Sequence, residues 1–202
     1  MLRCAITNGT TSGLVNASQI ERLKDQVQHW AAGGIDIIQI REKNLEAGKL
    51  LLLIEAALQT LGQTNSSAKL VVNGRADVAI AARAHGVHLT AHPDELTPHQ
   101  VRSLFSHADL PAPVVTVSCH TLDEIARARD NDADFILFGP VFEKRASADL
   151  ALDGVGLQRL AEACSVAARI PVLALGGITS ENAAQCVRAG AAGIAAIRLF
   201  ST

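Results

Sequence analysis

Two adjacent glycines, Gly176 and Gly177, close an apolar run that starts at Pro171, and a segment with helical periodicity follows from Ser180 to Ala189. An apolar strand, a Gly-Gly turn and a helix start bring unshielded backbone N–H groups together at the end of a buried strand, which suits a phosphate. Ser180 is expected to cap that helix, with Glu181 in its first turn. The next apolar run, Gly193 to Ile197, ends at Arg198, so a cation stands at the matching end of the neighbouring strand. A second group lies in Gln39-Ile-Arg41-Glu-Lys43. Side chains alternate along a strand, so continued strand register places Gln39, Arg41 and Lys43 on one face, an amide and two cations suited to an anionic substrate.

Other strand ends carry polar groups as well. Asn73 precedes Gly74 and offers either a turn or an amide contact to a substrate, and Asp77 is placed to cap the helix that follows. Beyond Gly86-Val-His-Leu89, the residues His92, Asp94 and Glu95 sit in a proline-broken loop whose spacing matches no metal signature, so no metal ligand is assigned. Thr97-Pro98 reads as the next helix start. Ser118 is a candidate hydroxyl donor for a phosphate, His120 a candidate acid or base, and Thr121 is expected to cap a helix holding Asp123 and Glu124. These do not make a Ser/His/Asp triad. After Phe138-Gly-Pro-Val-Phe142, the charged residues Glu143, Lys144 and Arg145 open a segment of small residues running to Gly154-Val-Gly156, expected as a lid.

The elements that position these groups repeat one theme. Apolar runs occur at 3–7, 35–40, 70–73, 86–89, 114–118, 134–138, 172–175 and 193–197, eight candidate strands. Between them, helical stripes appear at 17–32, 45–61 and 121–129, the first with Ile20, Leu23, Val27 and Trp30 or Ala31 at three-to-four-residue intervals. Strands apolar on both sides and separated by helices imply a parallel sheet covered on its faces. Eight such units point to an α/β fold of the (β/α)8, or TIM-barrel, type, with a flavodoxin-like open sheet as the alternative. The eighth strand ends near Ile197, so the last helix is expected to be missing. An uncovered seam then predicts a homodimer or a compensating rearrangement at the N-terminus.

With 202 residues, 49% of them hydrophobic, the chain suits one domain spanning 1–202. A net charge of -2 without a basic block argues against nucleic acid and membrane surfaces as partners. No apolar run is long enough to span a bilayer and the start has no signal-peptide pattern, so the expected location is cytoplasmic. Cys4, Cys119, Cys164 and Cys186 form no C-x-x-C pair and read as reduced structural thiols, with Cys119, beside His120, the one whose placement suggests more.

The motifs Gln39-Ile-Arg-Glu-Lys43, Asn73-Gly-Arg75, Gly86-Val-His-Leu89, Val117-Ser-Cys-His-Thr121, Phe138-Gly-Pro-Val-Phe142, Ala174-Leu-Gly-Gly-Ile178 and Gly190-Ala-Ala-Gly-Ile-Ala195, taken in order, resemble the thiamine phosphate synthase family, which includes thiazole tautomerase relatives. The resemblance covers essentially the whole chain. It implies coupling of a pyrimidine diphosphate to a thiazole phosphate, with Mg²⁺ assisting if synthase activity is retained and no other cofactor. It implies that Gln39, Arg41, Lys43 and Asn73 hold the pyrimidine and diphosphate, that Ser118 assists, and that Gly176 and Gly177 take the thiazole phosphate. The chain departs from the pattern where the family supplies metal carboxylates, carrying Gly74 and Pro93, with Asp94 one residue late. It has Arg198 where the family has serine, and Pro140 where the tautomerase branch has its histidine. The alternatives are an isomerase using His120 or Glu143 as relocated acid/base, or a non-catalytic binder of thiazole or thiamine phosphate.

Overall fold

Short apolar strands leave backbone N–H and C=O groups that must pair, and closing a sheet on itself removes every unpaired edge. The computed structural model describes residues 1–9, 15–145 and 151–201. Its strands are β1 (Leu2–Ile6), β2 (Ile37–Ile40), β3 (Lys69–Asn73), β4 (Gly86–Thr90), β5 (Val114–Cys119), β6 (Phe135–Phe138), β7 (Lys144–Arg145), β8 (Ala151–Leu152), β9 (Val172–Leu175) and β10 (Gly193–Ala196). All but β7 and β8 form a closed barrel, whereas β7 and β8 pair with each other as a small antiparallel hairpin. The barrel pairings are parallel, and Cys4 of β1 lies level with Ile37 of β2 on one side and Ala195 of β10 on the other. That closure settles the barrel against the open sheet.

The helices are α1 (Ala17–Ala32), α2 (Ala47–Gly62), α3 (Ala76–Ala81), α4 (Pro98–His107), α5 (Leu122–Asp130), α6 (Gly156–Ala167) and α7 (Ala183–Arg188). Three of them start in reciprocal capping boxes, Asn16 with Gln19, Thr97 with Gln100 and Thr121 with Glu124. Each cap satisfies a backbone N–H that the first turn leaves open, worth about 1 kcal/mol. Two other expected caps are not used. Asp77 lies inside the first turn of α3 and pairs with Arg75 at 2.6 Å. Helix α7 begins only after Asn182, not at Ser180, because the Asn182 side chain is spent on the preceding turn. Its Oδ1 accepts from the Thr179 N–H at 2.8 Å and its Nδ2 donates to the Gly177 carbonyl at 2.9 Å.

Two apolar layers result. Ile38, Ile40, Val72, Val87, Val115 and Ile136 face outward onto the helices, while Cys4, Ile6, Ile37, Val71, Leu137, Leu173 and Ala195 fill the barrel. Cys119 belongs to the outer layer, pointing away from the barrel mouth, and burial pushes its thiol up to about 12. Cys4 is raised to about 12 for the same reason, so neither is a reactive thiolate. Among the described residues, no helix is long and apolar enough to cross a membrane.

No helix follows β10 among the described residues, but the seam it would cover is not bare. Leu199 and Phe200 pack against the outer core, and the indole Nε1 of Trp30 donates to the Phe200 carbonyl at 2.6 Å. The rearrangement thus lies at the C-terminal turn, anchored on α1. Trp30→Phe keeps most of the apolar contact and loses that hydrogen bond, which should cost about 1 kcal/mol. For a domain of this size, the expected fall in melting temperature is about 3 °C. A variant melting like the wild type would show that the turn is not held through Trp30.

Candidate active site

Strand parity decides which side chains meet inside the barrel. With Ile37 facing inward, Gln39 does too, and the same alternation brings in Asn73 after Val71, and His88, Thr116 and Ser118 on the next two strands. Register aligns Asn73 with His88 and His88 with Thr116. The interior is therefore divided. Strands β2 to β5 present polar groups at their C-terminal ends, whereas β1, β6, β9 and β10 present Ile6, Leu137, Leu173 and Ala195.

The polar groups form two linked pairs. Gln39, 2% exposed, donates from Nε2 to Asn73 Oδ1 at 3.0 Å. Its Oε1 is buried and has no hydrogen-bond partner. A buried amide oxygen left unpaired costs about 1 to 3 kcal/mol, so the barrel holds an acceptor suited to a ligand donor. His88 lies 2.7 Å from Thr116 Oγ1 through Nδ1 and 2.9 Å from Ser118 Oγ through Nε2. Burial, with the charge of Arg41 adding to it, holds this imidazole down at about 3, so it is neutral at physiological pH.

Arg41 follows the last residue of β2. Its backbone N–H donates to the buried Thr7 hydroxyl at 2.8 Å, and its Nη1 lies 3.7 Å from where a side chain on Gly9 would begin. This fixes the backbone of Arg41, whose half-buried side chain carries its charge close enough to His88 to lower that imidazole further. Lys43 does not continue the same face. Pairing of β2 stops at Ile40, the chain turns, and Lys43 is exposed at that turn.

On the opposite side, Gly176 and Gly177 adopt φ of +92° and +65°. The segment after β6 lies directly on them, with the Val141 N–H donating to the Leu175 carbonyl at 2.8 Å and the Phe142 N–H to the Gly176 carbonyl at 3.1 Å. A Cβ on Gly176 would meet Pro140 at 2.6 Å, and one on Gly177 would meet the Glu143 carbonyl oxygen at 2.6 Å. These glycines therefore seat a loop as well as shaping an end of the barrel. Because Leu175 pairs with Ala195, the Gly-Gly turn and the exposed residue Arg198 leave the barrel side by side.

His120 donates from Nδ1 to the Gly139 carbonyl, joining the ends of β5 and β6, and this leaves Nε2 as its basic nitrogen when the ring is neutral. Glu143 is exposed on the loop that Gly177 contacts. The expected lid contains the β7–β8 hairpin, but its residues 146–150 and the side chains of Lys144 and Arg145 lie outside the described residues.

The described residues do not fit a divalent cation. Hard cations take several oxygen ligands, usually including carboxylates. Gly74 has no side chain and open space where a Cβ would stand, while the Asp94 side chain is 91% exposed. Among the described residues, no group of three His, Cys, Asp or Glu is arranged to hold a metal ion.

His88 and Thr116 were not singled out from the sequence as site residues. The signal was available, since counting by twos from Gly86 and Ser118 brings both inside, but strands apolar on both faces hide which parity is interior.

A family model described as thiamine monophosphate synthase matches residues 11–200. The thiamine-phosphate synthase of Chlorobium luteolum is 37% identical over 198 residues, covering 96% of this chain and 82% of the relative. That of Methanoculleus marisnigri is 38% identical over 167 residues, covering 83% and 74%. Among solved structures, the thiamine phosphate pyrophosphorylase of Pyrococcus furiosus superposes with a TM-score of 0.75 at 26% identity, covering 97% of this chain and 85% of that one.

Proposed function

The chain belongs to the thiamine monophosphate synthase family, and from that premise we propose that it binds a thiazole phosphate and joins it to a pyrimidine diphosphate with release of pyrophosphate. The observation that carries this reading is the unpartnered Oε1 of Gln39 in the polar quadrant, an acceptor for an N–H substituent on a heteroaromatic ring. In this assignment Gln39 and Asn73 hold the pyrimidine edge and Ser118 donates a further hydrogen bond. Arg41, with Lys43 at the rim, faces the diphosphate. Gly177 and Arg198 receive the thiazole phosphate beside the apolar half of the barrel.

The step breaks the pyrimidine's bond to the diphosphate and forms its bond to the thiazole ring. Negative charge grows on the departing diphosphate, and preorganised donors aimed at that charge lower the barrier. The guanidinium of Arg41 supplies such donors, and its half-buried setting strengthens them relative to water. Since, among the described residues, the carboxylates for a metal are not in place, no part of this step is assigned to Mg²⁺.

The test mixes both substrates with the protein and follows pyrophosphate, in parallel with added Mg²⁺ and with a chelator. Release in both is expected. Release that vanishes with the chelator would return the leaving-group role to a metal. If pyrophosphate is never released yet thiazole phosphate raises the melting temperature, the chain is a binding protein. Thiazole isomerisation that disappears in His120→Ala or Glu143→Ala would instead assign it to the isomerase branch.

A further inference from the structure

We infer that His88 is a positioning residue that holds the Ser118 hydroxyl as a hydrogen-bond donor toward the substrate. A neutral imidazole has one donor and one acceptor, so the ring can serve its two hydroxyl neighbours in only two ways. Thr116 is 1% exposed and, among the described residues, its side chain bonds only to His88 Nδ1. If Nδ1 carried the proton, the Thr116 hydroxyl hydrogen would be buried facing no acceptor, a cost of about 1 to 3 kcal/mol. The favoured arrangement has Thr116 donating to Nδ1 and Nε2–H donating to Ser118 Oγ, 2.9 Å away. Ser118 is the half-buried member of the chain, and with its oxygen already accepting, its own hydrogen is free to point into the mouth.

The direction of this chain matters for recognition. In the reverse tautomer Ser118 would donate inward to His88 and offer a ligand only lone pairs. The relay thus makes the barrel select a ring with an acceptor at that position, and Gln39 Oε1 selects a donor at another. The identity of the substrate here rests on the coupling reaction proposed above. The tautomer rests on geometry alone.

Two measurements test it. Long-range proton–nitrogen NMR on histidine-labelled protein should find the proton on Nε2 of His88, with no titration between pH 5 and pH 8, and Thr116→Val should allow the other tautomer to appear. A double-mutant cycle of His88→Leu and Ser118→Ala should then be non-additive. Each single change is expected to lower kcat/KM for the pyrimidine diphosphate about tenfold, the worth of one hydrogen bond, and the double should lose little more than Ser118→Ala alone. The KM for thiazole phosphate should stay put, which general unfolding would not allow, and His88→Gln should recover part of the loss. A proton on Nδ1, or losses that multiply, overturns the inference. If the wild type binds the pyrimidine diphosphate without turnover, the same cycle read from dissociation constants still decides it, and only the proposed reaction fails.

Discussion

Arg41→Ala should lower kcat/KM for coupling about a hundredfold or more, the usual loss when a preorganised donor to developing charge is removed. The melting temperature should scarcely change, because the bond that holds this part of the chain runs from the Arg41 backbone N–H to Thr7 Oγ1 and survives in alanine. The size follows from what is missing around it. Gly74 is bare and Asp94 exposed, and among the described residues no cluster of carboxylates is arranged to hold a metal that would share the work of neutralising a diphosphate. Lys43 sits exposed at the turn, where its charge is screened. Arg41→Lys should recover only part of the rate, since an ammonium keeps the charge and loses the bidentate fork. The measurement is steady-state kinetics with each substrate varied, and the loss should fall on kcat. Wild-type rates in Arg41→Ala would move the leaving-group role to the loop after β6 or to a metal.

The barrel itself was legible because glycine, β-branched and aliphatic runs at regular spacing leave few alternatives. The limits of β9 agree with the sequence reading, and α1 matches the predicted helix at both ends. The site was legible in part. Gln39 and Asn73 were expected to act together, and they share a hydrogen bond. Lys43 was placed on the strand face because alternation was carried past Ile40, yet sequence cannot tell where ladder pairing stops. Ser180 looked like a cap because serine before a helical stripe usually is one, but the Asn182 side chain ties down the turn from Gly177 to Thr179 and α7 starts only after it. His88 was missed because its strand is apolar on both faces, so only its spacing relative to the polar residues of neighbouring strands marks the inner side.

The Gly-Gly turn separates two roles that a sequence merges, and Gly176→Ala tests them. Sequence suggests the turn serves an anion, whereas the structure adds that Pro140 and Phe142 lie on it. Alanine at φ +92° is strained by about 1 to 2 kcal/mol, and its Cβ, 2.6 Å from Pro140, adds an overpacking cost of about 1 to 3. The expected destabilisation is about 3 kcal/mol, or about 10 °C in melting temperature. Gly74→Ala is the control, since its φ of +62° is similar but nothing lies within 4 Å of the new Cβ. It should cost only about 1 kcal/mol of backbone strain. Relief in Gly176→Ala must come from displacing the Pro140–Phe142 segment, because β9 is locked between β6 and β10. That displacement carries Glu143 and the β7–β8 hairpin with it, so the KM for thiazole phosphate should rise along with the loss of stability. Equal melting temperatures for the two alanine variants would mean that the loop yields freely and that these glycines serve the ligand alone.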